Sequence, residues 1–178
     1  MNSAIRVFAM LGAAVLALSA GAGRPAAAGE SGAAWQADLS LPGFSDNTLT
    51  AADVDGRPVL LQFWASWCSS CATLLWDLDA LSHGFPDAAY YAVSTDDDAA
   101  APRAYLERHP LFEREPQRFY FDASGALQRD LAVDAVPLIL LFDATGHELL
   151  RHSGHMNAAD LQRFRNALEA QTSARSQQ

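Results

Sequence analysis

Short apolar runs alternate along the chain with segments of helical periodicity, and this alternation predicts an α/β fold. Residues 59–65, 89–94 and 138–142 are almost continuously apolar, as expected of strands buried on both faces of a sheet. A shorter strand is predicted at residues 119–121, and residues 148–152 form the return strand of a closing hairpin. With helices between these strands, the chain is expected to build a central mixed sheet covered by helices on both faces.

Leucines at helical spacing predict a long helix that begins just after residue 68 and ends at Gly84. The three aspartates Asp96–Asp98 complete the N-terminus of a second helix, which we expect to run to about His109. A connection bracketed by Pro110 and Pro116 then leads to the next strand. The remaining predicted helices are a short one over residues 127–131 and an amphipathic one over residues 158–170.

The N-terminal part of this domain is predicted to form a short β-hairpin from residues 35–41, a Pro42-Gly43 turn and Leu49-Thr50. At the other end, residues 172–178 are polar and are predicted to be a flexible tail. One domain is therefore expected over residues 29–171, which is long enough to bury a substantial core.

Residues 1–28 have the pattern of a signal peptide. A positively charged start is followed by the apolar run Val7–Ala20, and Ala26-Ala27-Ala28 supplies the small residues at which cleavage is expected. An uncleaved membrane anchor is the alternative, although the apolar run is short for a membrane span. Export places the chain in an oxidising compartment, and the Arg-rich, Lys-free composition favours a bacterial periplasm.

The charge balance is strongly acidic. Without residues 1–28 the chain carries ten arginines, no lysine and 21 acidic residues, a net charge of −11. Such a surface argues against nucleic acid and against anionic lipid headgroups as partners.

The only two cysteines, Cys68 and Cys71, lie directly after the first buried strand and at the start of the long helix. Because a helix N-terminus stabilises negative charge, the first thiol is expected to be accessible and acidic, and the second can resolve a mixed disulfide. Ser69 and Ser70, between them, influence the acidity of the first thiol. This arrangement predicts thiol–disulfide exchange.

Other interpretations of the pair are weaker. A structural zinc site needs more ligands than one cysteine pair, and covalent haem attachment needs a histidine where Ala72 stands. An inert disulfide would close too short a loop to stabilise the fold much. Metal sites at Asp96–Asp98 or at the three histidines of residues 147–155 are also disfavoured, so no metal is predicted.

The chain resembles the thioredoxin fold, and more narrowly the exported TlpA/ResA-like thioredoxin family. The resemblance is carried by residues 39–42, by residues 56–68 with the cysteine motif, by residues 93–96 and by Val136-Pro137 before residues 141–146. Residues 98–109 match the helical insertion of this family.

The resemblance implies a role for each residue around the cysteines. Cys68 would be the attacking and Cys71 the resolving cysteine, and Trp67 would flank and shield the sulfurs. Pro137 would be a cis-proline packed against the disulfide, and the backbone of Val136 would pair with an extended substrate like an added strand. Trp64 is expected to be a core residue.

The chain departs from the family pattern at four positions. Gln62 stands where a buried acid is common, and Leu74 where a glutamate often follows the second cysteine. Trp76 replaces a proline that usually kinks the active-site helix, and Leu138 stands where threonine is common. These changes put the direction and efficiency of the redox reaction in question, since a carboxylate would help activate the resolving thiol.

The sequence therefore predicts an exported protein disulfide reductase with no cofactor beyond the Cys68–Cys71 disulfide. The resemblance implies protein disulfides as substrates and a membrane electron donor as the redox partner, and the family includes reductases of cytochrome c maturation. A disulfide oxidase or isomerase is the alternative enzyme. A weakly catalytic module that binds a partner beside Val136-Pro137 is the alternative outside enzymes.

Overall fold

The computed structural model describes residues 34–175, and a five-stranded sheet forms the centre of this part of the chain. The elements lie close to where the apolar runs predict them. In chain order they are α1 (Ala34–Ala37), β1 (Ser40–Pro42), β2 (Thr48–Thr50), α2 (Ala51–Val54), β3 (Val59–Trp64), α3 (Ser69–His83), β4 (Ala89–Ser94), α4 (Ala100–Leu106), α5 (Pro110–Arg114), β5 (Phe119–Phe121), α6 (Ala126–Asp130), β6 (Leu138–Phe142), β7 (Glu148–Ser153) and α7 (Ala158–Arg175).

The central sheet is mixed, as predicted. Its strand order is β5-β4-β3-β6-β7, with β3, β4 and β5 parallel and β6 and β7 antiparallel to their neighbours. Every residue of β3 and of β6 is buried, because helices cover both faces of the sheet. One apolar cluster packs α3 and α7 against the sheet, and the other packs α1, α2 and α6 against the opposite face.

The predicted N-terminal hairpin is confirmed, but it begins later than expected. β1 pairs antiparallel with β2, whereas Trp35 belongs to the helical turn α1 instead of the first strand. The Trp35 indole is buried, packs with its ring centre 4.6 Å from that of Phe142 and donates its N–H to the carbonyl of Gly146 at 3.1 Å. This tertiary packing outweighs the local extended preference that the sequence suggests.

The helical insertion consists of two short helices where one was predicted. α4 ends at Leu106 and Pro110 begins α5, and between them His109 has extended backbone, which the following proline favours. The segment predicted as a plain connection after Pro110 is therefore partly helical. Asp98 caps α4 as expected, since its carboxylate accepts hydrogen bonds from the N–H groups of Ala100 and Ala101.

The last helix is longer than predicted. α7 continues to Arg175, so residues 172–175 of the predicted polar tail are helical. The predicted signal peptide, residues 1–28, lies outside the described residues, as do residues 29–33 and 176–178. Among the helices of residues 34–175, none is both long and apolar enough to cross a membrane.

Candidate active site

The two cysteines form a disulfide at the start of α3, and they differ in exposure. Cys68 is the residue that precedes the first turn of α3 and is partly exposed, whereas Cys71, within that turn, is completely buried. A tight turn places them, because the N–H of Cys68 bonds to the carbonyl of Ala65 at 3.0 Å and the N–H of Cys71 bonds to the carbonyl of Cys68 at 3.1 Å. A thiol or disulfide of another molecule can therefore reach Cys68 and not Cys71.

The helix end beside Cys68 is polar but uncharged. Within the described residues no side chain caps this end of α3, so its N–H groups and the positive end of the helix dipole face the first sulfur. Ser69 and Ser70 are exposed, and the Ser70 hydroxyl lies 3.6 Å from Cys68 Sγ. This dipeptide offers the sulfur a hydroxyl group and no cation.

The Val136–Pro137 peptide bond is cis, as the family resemblance implies. Leu138, the first residue of β6, pairs with Phe63 near the end of β3, so this peptide lies at the edge of the sheet from which the cysteine loop departs. Pro137 is buried and Val136 is half-buried, and Val136 packs against the same apolar cluster as Cys68 and Cys71. The sheet register thus brings together residues that are 65 or more positions apart.

Trp67 and Val136 line a shallow cavity of about 130 Å³ beside the disulfide loop. Trp67 is 74% exposed, so its ring adds a large accessible apolar surface to this rim. That Trp67 also shields the sulfurs stays a prediction. Trp64, in contrast, is 1% exposed and belongs to the core, as predicted. The cavity is completed by Thr95, Gln128, Val133, Asp134 and Ala135.

A buried neutral pair lies beneath the resolving cysteine. The Gln62 side chain is fully buried, and its amide donates a hydrogen bond to the Cys71 carbonyl at 3.3 Å. The Tyr90 hydroxyl donates to the other end of the same amide at 2.7 Å. Burial raises the pKa of Tyr90 above its ordinary value, so this phenol stays protonated. With Leu74 also fully buried, neither position offers the carboxylate that the family pattern would place there.

Asp96 belongs to the site, and sequence reasoning placed it elsewhere. It was expected to complete a helix N-terminus, but its carboxylate accepts hydrogen bonds from the Ser66 N–H at 2.9 Å, the Ser66 hydroxyl at 2.6 Å and the Ser94 hydroxyl at 2.8 Å. The parallel register explains the contact, because Trp64 of β3 lies opposite Ser94 of β4 and two residues follow on each strand. Only the pairing of these strands reveals this role.

The candidate metal ligands do not assemble. Among residues 34–175, no three histidine, cysteine or acidic side chains lie close enough together to hold a metal ion. His152 instead lies 3.7 Å from the carboxylate of Asp160, and its ring bonds to the carbonyl of His155 at 3.0 Å.

Known proteins with the same arrangement support a redox site. Residues 45–169 match the thioredoxin-like domain family. The chain is 33% identical over 117 residues to a thiol:disulfide interchange protein DsbE of Pseudomonas aeruginosa, covering 64% of this chain and 61% of the relative. It is 34% identical over 102 residues to the DsbE of Pseudomonas fluorescens biotype C, covering 57% of this chain and 54% of the relative. The chain thus matches little more than half the length of these curated relatives.

A solved structure agrees with these sequence matches. A Chlorobium tepidum protein assigned as a thiol:disulfide interchange protein DsbE superposes with a TM-score of 0.62 at 28% identity. The superposition covers 78% of this chain and 93% of that protein, so the likeness extends over nearly the whole of the fold described above.

Proposed function

The chain belongs to the thioredoxin-like family, and from that premise we propose that it is a thiol–disulfide oxidoreductase that reduces disulfides of other proteins. The observation that carries this proposal is the unequal exposure of the two cysteines: Cys68 is reachable and Cys71 is buried one turn further along α3. An inert structural disulfide needs no such asymmetry, whereas an attacking and a resolving sulfur do.

The reaction proceeds in two exchanges. In the dithiol form, the Cys68 thiolate attacks one sulfur of a substrate disulfide, whose S–S bond breaks, and the departing substrate sulfur takes up a proton. Cys71 then loses its proton and attacks Cys68 Sγ, which releases the second substrate thiol and forms the Cys68–Cys71 disulfide. Two electrons pass from the cysteine pair to the substrate, so the exchange needs no cofactor. A second dithiol protein must restore the pair.

Substrate binding is assigned to the surface between Trp67 and Val136. Residues 34–175 form no backbone hydrogen bond to the N–H or the carbonyl of Val136, so both groups are available to an extended peptide. The exposed Trp67 ring lies on the same cavity and offers apolar contact to the side chains of that peptide. A disulfide held along this edge would meet the exposed sulfur of Cys68.

The reducing direction is favoured by the surroundings of the first sulfur. A strongly oxidising pair needs a stabilised thiolate, usually through a cation close to the sulfur. Here the residues between the cysteines are Ser69 and Ser70, and Ser66, at the start of the same loop, bonds to the carboxylate of Asp96 and not to a cation. The dithiol form is therefore expected to be a good electron donor.

We further propose where the protein acts and which molecules it exchanges electrons with. The signal-peptide pattern of residues 1–28 supports a periplasmic protein, recharged by a membrane electron donor. The two curated relatives are named thiol:disulfide interchange proteins, which supports protein thiols and disulfides as substrates. Cytochrome c maturation as the pathway stays a prediction.

A partner-binding module with little catalysis is the second candidate. It is favoured by the neutral Gln62–Tyr90 pair and by Leu74, which leave no carboxylate at these positions to take the proton from Cys71. Such a module would use the Trp67–Val136 surface and hold the cysteines oxidised.

The test is the reduction potential of the pair, measured by equilibration in glutathione or dithiothreitol buffers with tryptophan fluorescence as the signal. A value near or below about −270 mV supports a reductase, and a value near about −120 mV would identify an oxidase instead. In a companion experiment, Cys71→Ser should accumulate a mixed disulfide with a model protein disulfide, and Cys68→Ser should not. If wild-type protein shows no exchange while both variants keep a bound partner, the binding module is the better description.

A further inference from the structure

We propose that Asp96 is a positioning residue of the redox site, which holds the loop that presents Cys68 and disfavours its thiolate. The proposal rests on the proposed function, because it explains why the pair would act as a reductant. It assigns Asp96 a role in thiol chemistry through Ser66, without contact between the carboxylate and the sulfur.

The hydrogen bonds show how the loop is held. Ser66 donates both its backbone N–H and its hydroxyl to the Asp96 carboxylate, at 2.9 and 2.6 Å, so one acid fixes both the main chain and the side chain of this residue. A further bond joins the same two loops, from the Thr95 N–H to the Trp64 carbonyl at 2.9 Å. The segment that leads from β3 to Cys68 is thereby fastened to the segment that leaves β4.

An acid just before a helix usually caps its N-terminus, and for α4 Asp98 already does so. α4 begins at Ala100, and Asp98 bonds to the N–H groups of Ala100 and Ala101. Asp96 lies before that cap and directs its carboxylate to the other side, onto Ser66 and Ser94. Its hydrogen bonds therefore serve the cysteine loop and not the start of the helix.

The charge of Asp96 is held by neutral hydrogen-bond donors and by no cation of the described residues. The residue is 9% exposed, and no arginine or histidine of residues 34–175 forms an ion pair with it. Cys68 follows Ser66 by two positions, which spans about 7 Å of chain at most, so the carboxylate lies within about 10 Å of the Cys68 backbone. A partly buried negative charge at that range opposes ionisation of a thiol. We expect its removal to change thiolate formation by about two- to tenfold.

The experiment measures alkylation of Cys68 by iodoacetamide from pH 5 to 9, in a Cys71→Ser background where Cys68 is the only thiol. Asp96→Asn keeps the shape of the side chain, because the amide accepts the Ser66 N–H and donates to the Ser66 hydroxyl, but it removes the charge. Its profile should move to lower pH, with alkylation at pH 6 about two- to tenfold faster. In the two-cysteine protein, the same substitution should make the reduction potential less negative.

Asp97→Asn is the matched control, since Asp97 is the exposed neighbour and makes no ion pair with residues 34–175. It should change the alkylation rate less than twofold. Ser66→Ala keeps the charge and removes one hydrogen bond to it, so its alkylation at pH 6 should be no faster than that of the parent. If Asp96→Asn does not fold, faster alkylation in Ser66→Ala would still contradict the proposal.

The proposal is overturned if the Asp96→Asn profile coincides with that of the parent, if Asp97→Asn shifts it equally, or if Ser66→Ala speeds alkylation. Because alkylation requires no protein substrate, this result is independent of disulfide reduction. A protein that reduces no disulfide would refute the proposed function and leave the alkylation series interpretable.

Discussion

The two ends of α3 are built in opposite ways. At its N-terminus Cys68 is partly exposed, Ser69 and Ser70 are exposed, and no side chain of the described residues caps the helix. Towards its C-terminus Asp79 is 3% exposed and is surrounded by cations. One helix therefore combines an open reactive end with an anchored end.

The anchor is an ion-pair cluster between α3 and the segment that follows α4. Asp79 lies 3.2 Å from an Arg118 guanidinium nitrogen and 3.3 Å from one of Arg114. Arg118 also donates to the Ser82 hydroxyl at 2.6 Å and pairs with Glu115 at 3.2 Å. The C-terminal half of α3 can thus stay in place while the sulfurs at the other end are attacked and released. The comparison predicts that changes at the anchored end alter stability and leave thiol chemistry unchanged.

The largest effect should follow from Asp79→Ala, which breaks the anchored end. Arg118 is mostly buried and would lose its buried carboxylate partner, so we expect the free energy of unfolding to fall by about 3 kcal/mol. Urea unfolding measures this loss, and the reduction potential of the cysteine pair should remain that of the parent. Arg114 is half exposed, so its pair with Asp79 contributes little.

Asp77→Ala is the control for this prediction, because Asp77 lies on the same helix and forms no ion pair within residues 34–175. It should leave unfolding nearly unchanged. A potential that moves with Asp79→Ala would show that the two ends of α3 are coupled, contrary to the comparison.

An intermediate effect is expected at the open end, where Gln62 supports the turn that carries Cys71. Gln62→Leu leaves the Tyr90 hydroxyl and the Cys71 carbonyl without their buried partner, which should cost about 1–3 kcal/mol of stability. Tyr90→Phe should cost about 1 kcal/mol. Because removing both partners leaves fewer unsatisfied groups, the double variant should cost less than the sum of the two. Strict additivity in this cycle would mean that the hydrogen bond contributes nothing.

The smallest effect should be a pH dependence from His109, beside the anchored end. The centre of its ring lies 5.3 Å from that of Trp76, and the ring accepts a hydrogen bond from the Leu111 N–H. Burial holds the pKa of His109 below its ordinary value. The unfolded chain therefore binds a proton more readily than the folded one. Stability is fully present above the ordinary histidine pKa of about 6.5 and falls as the pH drops below it.

Thermal unfolding between pH 7 and pH 5 measures this fall. His109→Asn keeps a capping side chain for α5 and should flatten the dependence. His155→Asn, at an exposed histidine, should leave the slope as it is. An unchanged slope in His109→Asn would assign the pH dependence to other groups.

The sequence alone predicted the parts of the molecule that depend on neighbouring residues. The continuous apolar runs marked β4 and β6 at the bounds that the structure shows, because strands buried on both faces select apolar side chains at every position. The cysteine pair was recognisable for the same reason, since a strand, two cysteines and a helix follow one another along the chain. The Val136–Pro137 cis bond came from family resemblance and is confirmed.

Contacts between distant residues were decided only by the tertiary structure. Asp96 and Ser66 are 30 residues apart and meet because the parallel strands β3 and β4 pair in register. From the local sequence alone, the same acid is expected to cap a helix. Asp79 meets Arg118 because the segment that follows α4 folds back onto α3, and Trp35 leaves the predicted strand to pack on Phe142. Each of these polar or aromatic groups takes its partner from across the fold, because burial removes water and makes an unpaired polar group costly.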